Sequence, residues 1–285
     1  MTGVRADRDP VAVDPAAVDP AAVARRAGTE NFPIASVLFP RAVRPHLRAV
    51  YGFCRLVDML GDEAEGDRLA LLDGLERELD ACYDGTPSWP VMVQLQPTIR
   101  DCRLDRDPFW RLIECNRQDQ RVAAYETWAA VKQYCTLSAD PVGRMVLGVV
   151  GKAGETALLA ASDAVCTGLQ LVNFLQDVPR DLELGRVYLP AEEIRRFGVT
   201  ALDRPSPELR ALLEFEAERA RGLLAGGEAL RRGIGGRLGR AIGLFARGGL
   251  AALDALDEAG WDIFTQRPRP SKARLARAAV RAVVS

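Results

Sequence analysis

The chain has 285 residues, is 48% hydrophobic but only 6% aromatic, and sets 38 Lys+Arg against 39 Asp+Glu for a net charge of −1. That is enough apolar material for one large core, and the interspersed charges leave no basic block of the kind nucleic acid requires. A single histidine, His46, and six cysteines without a CxxC pair argue against a zinc site and against a Cys–His dyad; scattered thiols without a leader point to a reducing cytoplasm.

In chain order, residues 1–25 carry VAVDPAAVDPAAVARR, a low-complexity repeat with little to bury, expected to be a disordered or loosely attached arm. Residues 26–285 are expected to form one all-helical domain. ENFPIASVLFP is an irregular lead-in, after which helices are expected over 41–61, over 67–83, and after the TPSWP break to about 103. DPFWRLIECNRQDQ, from 107, opens with Asp as a cap and Pro in the first turn. Further helices are expected near 126–138, 141–151, from about 154 through LQLVNFLQDV, and at 191–197, 206–231, 237–260 and 271–283. ELGRVYLP reads as a short extended segment, and GIGGRLG (233–239), which has no strand before it, reads as a helix break and not as a dinucleotide loop. No alternating strand pattern intervenes, so the expected class is all-α. The longest evidently apolar run, MVLGVVG, is too short to span a bilayer; contact with a membrane surface stays compatible with the chain.

Two stretches carry charge where a helix should be greasy. At 100° per residue, Tyr51, Arg55, Asp58 and Asp62 fall within an arc of about 60°, flanked by Leu47, Phe53, Leu56, Val57 and Leu60. In LQLVNFLQDVPRD, Gln170, Asn173, Asp177 and Asp181 gather within about 80° among Leu171, Val172, Phe174 and Leu175. Each pair of aspartates is spaced i, i+4, so its carboxylates lie about one turn apart. Two such stripes facing one another would repel unless hard cations such as Mg²⁺ lay between them, and a diphosphate could then complete the metal shells. Taken singly, an Asp-x-x-x-Asp pair is common and usually marks the solvated face of a helix. Pro179 leaves two alternatives open: a bend between Asp177 and Asp181, or a new helix capped by Asp177.

YGFCRLVDMLGDE, KQYCTLSADPVGRMVLGVVG and GLQLVNFLQDVPRDLELGRVYLP together resemble the squalene/phytoene synthase family, over about residues 29–275. The resemblance implies an isoprenoid-synthase helical bundle with a central cavity, acting on an isoprenoid diphosphate through several Mg²⁺ ions. It implies metal ligation by Asp58, Asp62, Asn173, Asp177 and Asp181, and diphosphate or substrate contacts from Arg55, Gln170, Gln176, Arg186 and Arg267, with Arg269 competing for the last role. Tyr51, Tyr134 and Tyr188 match cavity tyrosines whose ring faces could steady a cation. Met59 stands where the family commonly has another aspartate, and Gln176 where relatives often have arginine. ENFPIASVLFP and YCTLSADPVGRMVL are most similar to the hopanoid-pathway branch, which implies ionisation of presqualene diphosphate and capture of the cation by water, giving hydroxysqualene without NADPH. The rivals are a presqualene diphosphate, squalene or phytoene synthase, and a non-catalytic helical scaffold. Neighbouring pathway enzymes and the inner face of the membrane are the expected partners, with no nucleic acid. Gly148, Val149, Gly151 and Ala153 either line a channel or pack helices together, and His46 is expected at the surface or in a cap.

Overall fold

The structure is a computed structural model that describes residues 14–20 and 39–265. Within the stretch expected to be a loose arm, Asp14 Oδ1 accepts the Ala16 N–H at 3.0 Å and opens a 3₁₀ turn, Pro15–Ala17, that buries Pro15. Val18 packs against the main core.

The remaining described residues are helical apart from connections and isolated bridge residues. In chain order the helices are α1 (Val43–Asp58), continuing into a π turn (Met59–Glu63), α2 (Arg68–Asp84), α3 (Pro90–Cys102), α4 (Arg106–Asp119), α5 (Trp128–Ser138), α6 (Asp140–Val149), α7 (Thr156–Glu183), α8 (Ala191–Arg196), α9 (Pro207–Leu224), α10 (Gly226–Ile234) and α11 (Gly236–Glu258). Their starts follow local chemistry. Asp67, Thr127 and Ser206 each accept a backbone N–H three residues ahead, as an N-cap does. Proline stands in the first turn of α3, α6 and α9, where its missing N–H costs nothing.

Two details depart from expectation, and one alternative left open by the sequence is closed. The stretch foreseen as one helix over 206–231 breaks into α9 and α10 around Ala225. Pro179 neither stops α7 nor starts a new helix; α7 runs through it to Glu183. α7 is also long and apolar enough to cross a membrane by length and composition, with a mean hydropathy of 1.4, although half of that window is buried in the bundle. The glycine break is where expected: Gly235 and Gly236, at φ of 69° and 56°, separate α10 from α11. The helix foreseen over 271–283 lies outside the described residues.

α7 is the axis of the bundle, packed by α6, α9, α10 and α11, while α1 packs against α3, α4 and α6. α6 therefore touches both acid-bearing helices. Leu171, Val172, Phe174, Leu175 and Val178 are buried along α7, each such side chain contributing roughly 1.5–3 kcal/mol of transfer free energy. The polar stripe of α7 is thus held in place by the greasy flanks beside it. His46, near the start of α1, pairs its Nδ1 with Thr98 Oγ1 of α3 at 3.0 Å.

Candidate functional site

The first stripe does not sit on a uniform helix. α1 ends at Asp58, and the next five residues form a π turn closed by Ala64 N–H donating to Met59 O at 2.9 Å. Single π turns are found frequently at functional sites. Close packing accompanies it. Gly61 sits so tightly on Asn116 of α4 that a Cβ at Gly61 would lie 1.9 Å from Asn116 Oδ1. Gln120 Nε2 then donates to Gly61 O at 3.0 Å. The widened turn leaves Asp58 exposed and turns Asp62 inward, to a half-buried position.

Asp62 meets Arg186. Arg186 Nη1 donates to Asp62 Oδ1 at 2.7 Å, with the guanidinium side chain 10% exposed. Burial opposes the charge on Arg186, but Asp62 and Asp119 outweigh it and hold the guanidinium firmly protonated. Arg186 is placed by the RVYLP segment, which is extended as expected. Val187 forms a parallel bridge with Ala124, its N–H donating to Ala123 O at 2.7 Å, and Ala191 N–H donates to Tyr125 O at 3.0 Å.

On α7, Asn173 is exposed, Gln170, Asp177 and Asp181 are half-buried, and Gln176 is buried on the inner face. Burial and the neighbouring Asp177 carboxylate push the Asp181 pKa up to about 7, and Asp62 adds to that repulsion. Asp62 and Asp181, distant in sequence, therefore lie within each other's field. Asp58, Asp62 and Asp119 all act on the buried Cys115 thiol, which burial first of all pushes well up. Arg55 is buried and paired with Glu63, one carboxylate beyond the aspartate pair.

Beside this acidic rim stands a wall of aromatic rings. Phe174 and Tyr188 stack with centroids 4.2 Å apart, and Tyr134 and Tyr125 lie 5.3 and 5.9 Å from Tyr188. Tyr134 donates to Asp119 Oδ2 at 2.7 Å and Tyr188 to Asp119 Oδ1 at 3.1 Å. Burial raises the Asp119 pKa to about 6 in spite of Arg186 and the Tyr134 hydroxyl. Tyr188, Phe174, Asp181 and Arg186 line a small cavity of about 10 Å³. Tyr51 is buried one turn before Arg55 on α1.

The sequence missed Asp119, Glu63 and Tyr125. Asp119 sits in CNRQDQ, a polar helix end with no second acidic residue at i±4, so periodicity gave it no distinction. Of the small residues considered for a channel, Gly148 is a packing site, where a Cβ would lie 2.6 Å from Leu104. Val149 belongs to the core, and Gly151 and Ala153 are in an exposed turn. Arg267 and Arg269 lie outside the described residues.

Among the described residues, no three Asp, Glu, His or Cys side chains stand close enough to hold an ion by themselves. Mg²⁺ ordinarily takes one or two carboxylates and fills its shell with water and substrate phosphates. A donor set of carboxylates that repel one another, one of them pushed up to about 7, fits that mode of binding in type.

An all-α bundle with its acids, a buried arginine and an aromatic wall at one end of two long helices belongs to the isoprenoid-synthase class of folds. The chain is a member of the squalene/phytoene synthase family, whose family model matches residues 25–274. The hydroxysqualene synthase of Zymomonas mobilis is 36% identical over 205 residues, 68% of this chain and 67% of that one. A 15-cis-phytoene synthase of Synechocystis is 31% identical over 267 residues, 85% of this chain and 78% of that one. Among solved structures, squalene synthase HpnC from Alicyclobacillus acidocaldarius has a TM-score of 0.78 at 42% identity, covering 85% of this chain and 94% of that one. A dehydrosqualene synthase in complex with ligand has a TM-score of 0.84 at 25% identity, covering 93% and 95%.

Proposed function

We propose that this chain ionises presqualene diphosphate and lets water capture the cation, giving hydroxysqualene. What supports the diphosphate half of this reading is the pairing of Asp62 with Arg186, together with Asp181 standing in the field of Asp177 and, more weakly, of Asp62. The choice of substrate and of water rests on the hydroxysqualene synthases among the relatives, set against a solved squalene synthase at 42% identity and phytoene synthases such as that of Synechocystis at 31%.

In this reading Asp58, Asp62, Asn173, Asp177 and Asp181 would hold the magnesium. When bound, Mg²⁺ supplies positive charge that neutralises the leaving diphosphate. Arg186 and Arg55 contribute charge-assisted hydrogen bonds as the carbon–oxygen bond breaks, each moving from its present carboxylate partner toward the phosphate oxygens. Gln170 and, beyond the described residues, Arg267 belong to the same contact set. Gln176, buried on the inner face of α7, acts from beneath. Tyr134, with the stacked pair Tyr188 and Phe174 beside it, would supply the aromatic lining that suits a carbocation, and Tyr51 on α1 is assigned to the same role. The six free thiols suit a reducing cytoplasm, with the hydrocarbon substrate drawing the enzyme to the inner face of the membrane and to neighbouring enzymes of the pathway. NADPH has no part in it.

The test is incubation with farnesyl, geranylgeranyl and presqualene diphosphates, each with Mg²⁺ and with or without NADPH. A C30 alcohol from presqualene diphosphate without NADPH is expected. Product from farnesyl or geranylgeranyl diphosphate alone would make the chain a condensing enzyme, and a hydrocarbon formed only with NADPH would make it a squalene synthase.

A further inference from the structure

We infer that Asp119 is a positioning residue and proton acceptor for the capture step, acting through Tyr188 and Tyr134. The inference rests on the water-capture reading above and assigns it a base that neither aspartate stripe contains.

Both oxygens of the Asp119 carboxylate are spoken for: Oδ2 accepts from Tyr134 at 2.7 Å and Oδ1 from Tyr188 at 3.1 Å. A phenol has one proton and two lone pairs. With that proton directed at Asp119, each hydroxyl has only lone pairs left for other partners. Tyr134 spends one on the Cys115 thiol, which donates at 3.3 Å. Tyr188 lines the small cavity together with Asp181 and Arg186, and its hydroxyl stands 3.5 Å from that of Tyr134; its remaining lone pair is assigned to a water in that cavity. Such a water donates one hydrogen to Tyr188, which turns its own lone pair toward the hydrocarbon.

The capture step then balances. The water oxygen gives an electron pair to the cationic carbon and a C–O bond forms. The proton released from the resulting oxonium passes to the Tyr188 oxygen as the proton of Tyr188 passes to Asp119 Oδ1. Tyr188 is neutral before and after, in keeping with a hydroxyl whose ionisation burial and the adjacent carboxylate both oppose. Asp119 ends protonated and returns its proton to solvent after product leaves. Without this acceptor the cation must lose a proton from carbon or rearrange.

The experiment uses the full chain with presqualene diphosphate and Mg²⁺, measuring diphosphate released and C30 alcohol formed in the same sample. For Asp119→Asn we expect alcohol per diphosphate to fall about 100-fold, the lower end of what positioned proton transfer contributes, with alkene or rearranged alcohol making up the difference. Asp119→Glu is expected to recover part of the ratio. Tyr188→Phe keeps the ring and removes the hydroxyl, so it is expected to lower the same ratio, and it stands in should Asp119→Asn fail to fold. If either variant keeps the wild-type ratio, whatever its overall rate, Asp119 is structural and the inference fails alone. If the wild-type chain yields no C30 alcohol from presqualene diphosphate, the proposed function fails and takes the inference with it.

Discussion

Arg186 donates from Nη1 to Asp62 Oδ1 at 2.7 Å across 124 residues of sequence. This contact joins the π turn after α1, which carries Asp62, to the extended segment that follows α7. Removing one partner strands the other where it is largely buried. Arg186→Gln should lower unfolding stability by about 2 kcal/mol, less than a fully buried pair would cost because Asp62 retains some exposure. Asp62→Asn in the same background should recover part of the loss. A denaturant-melt double-mutant cycle checks this, and strictly additive losses would contradict the pairing.

Gly61 is predicted to be intolerant of any side chain. Its Cβ would fall 1.9 Å from Asn116 Oδ1, so Gly61→Ala must displace either Asn116 or the π turn, at a cost of about 1–3 kcal/mol. Displacing the turn moves Asp62, so product formation should fall more than stability alone explains. Asn116→Ala should partly restore the melting temperature of Gly61→Ala. An unchanged melting temperature in the single variant would refute the close packing of Gly61 on Asn116.

A third prediction concerns pH. Asp140, in the first turn of α6, is buried and accepts a hydrogen bond from Thr167 Oγ1 at 2.9 Å. Burial pushes its pKa up to about 7 despite that bond, with Asp163 adding to the rise. The folded chain therefore holds a proton there that the unfolded chain has lost. The stabilisation is complete below about pH 4, the ordinary aspartate range, and is lost as pH rises through about 7. Asp140→Asn should flatten this part of the stability–pH curve and stabilise the protein by about 1–2 kcal/mol above pH 7. Parallel curves for the two proteins would show that Asp140 is not the group responsible.

Metal dependence supplies a fourth. Mg²⁺ with inorganic diphosphate should raise the melting temperature of the wild-type chain, because a ligand that binds only the folded state stabilises it. The Asp58→Ala/Asp177→Ala variant should lose that rise. An undiminished shift in the variant would favour a scaffold whose aspartates do not hold metal.

The all-α class and the two stripes were legible because both are periodic: apolar residues at helical spacing, with acids at i and i+4 between them. RVYLP was legible as extended because Pro190 closes it. The rest depended on contacts that no window of sequence contains. The π turn holds Gly61 against Asn116 of another helix, a contact outside any local window, and a uniform 100° wheel does not describe the chain beyond Asp58. Asp119 gains its place from two tyrosine hydroxyls, 15 and 69 residues away. The passage of α7 through Pro179 depends on its packed flanks, which outweigh one missing backbone hydrogen bond. The split of α9 from α10 falls at Ala225, which carries no strong breaking signal beyond the two glycines that follow it.

The source of the product's oxygen tests the central claim most directly. Presqualene diphosphate and Mg²⁺ incubated with the full chain in ¹⁸O-labelled water, without NADPH, should give a C30 alcohol carrying a single ¹⁸O. A C30 hydrocarbon without oxygen, or an alcohol whose oxygen derives from the diphosphate ester, would contradict it.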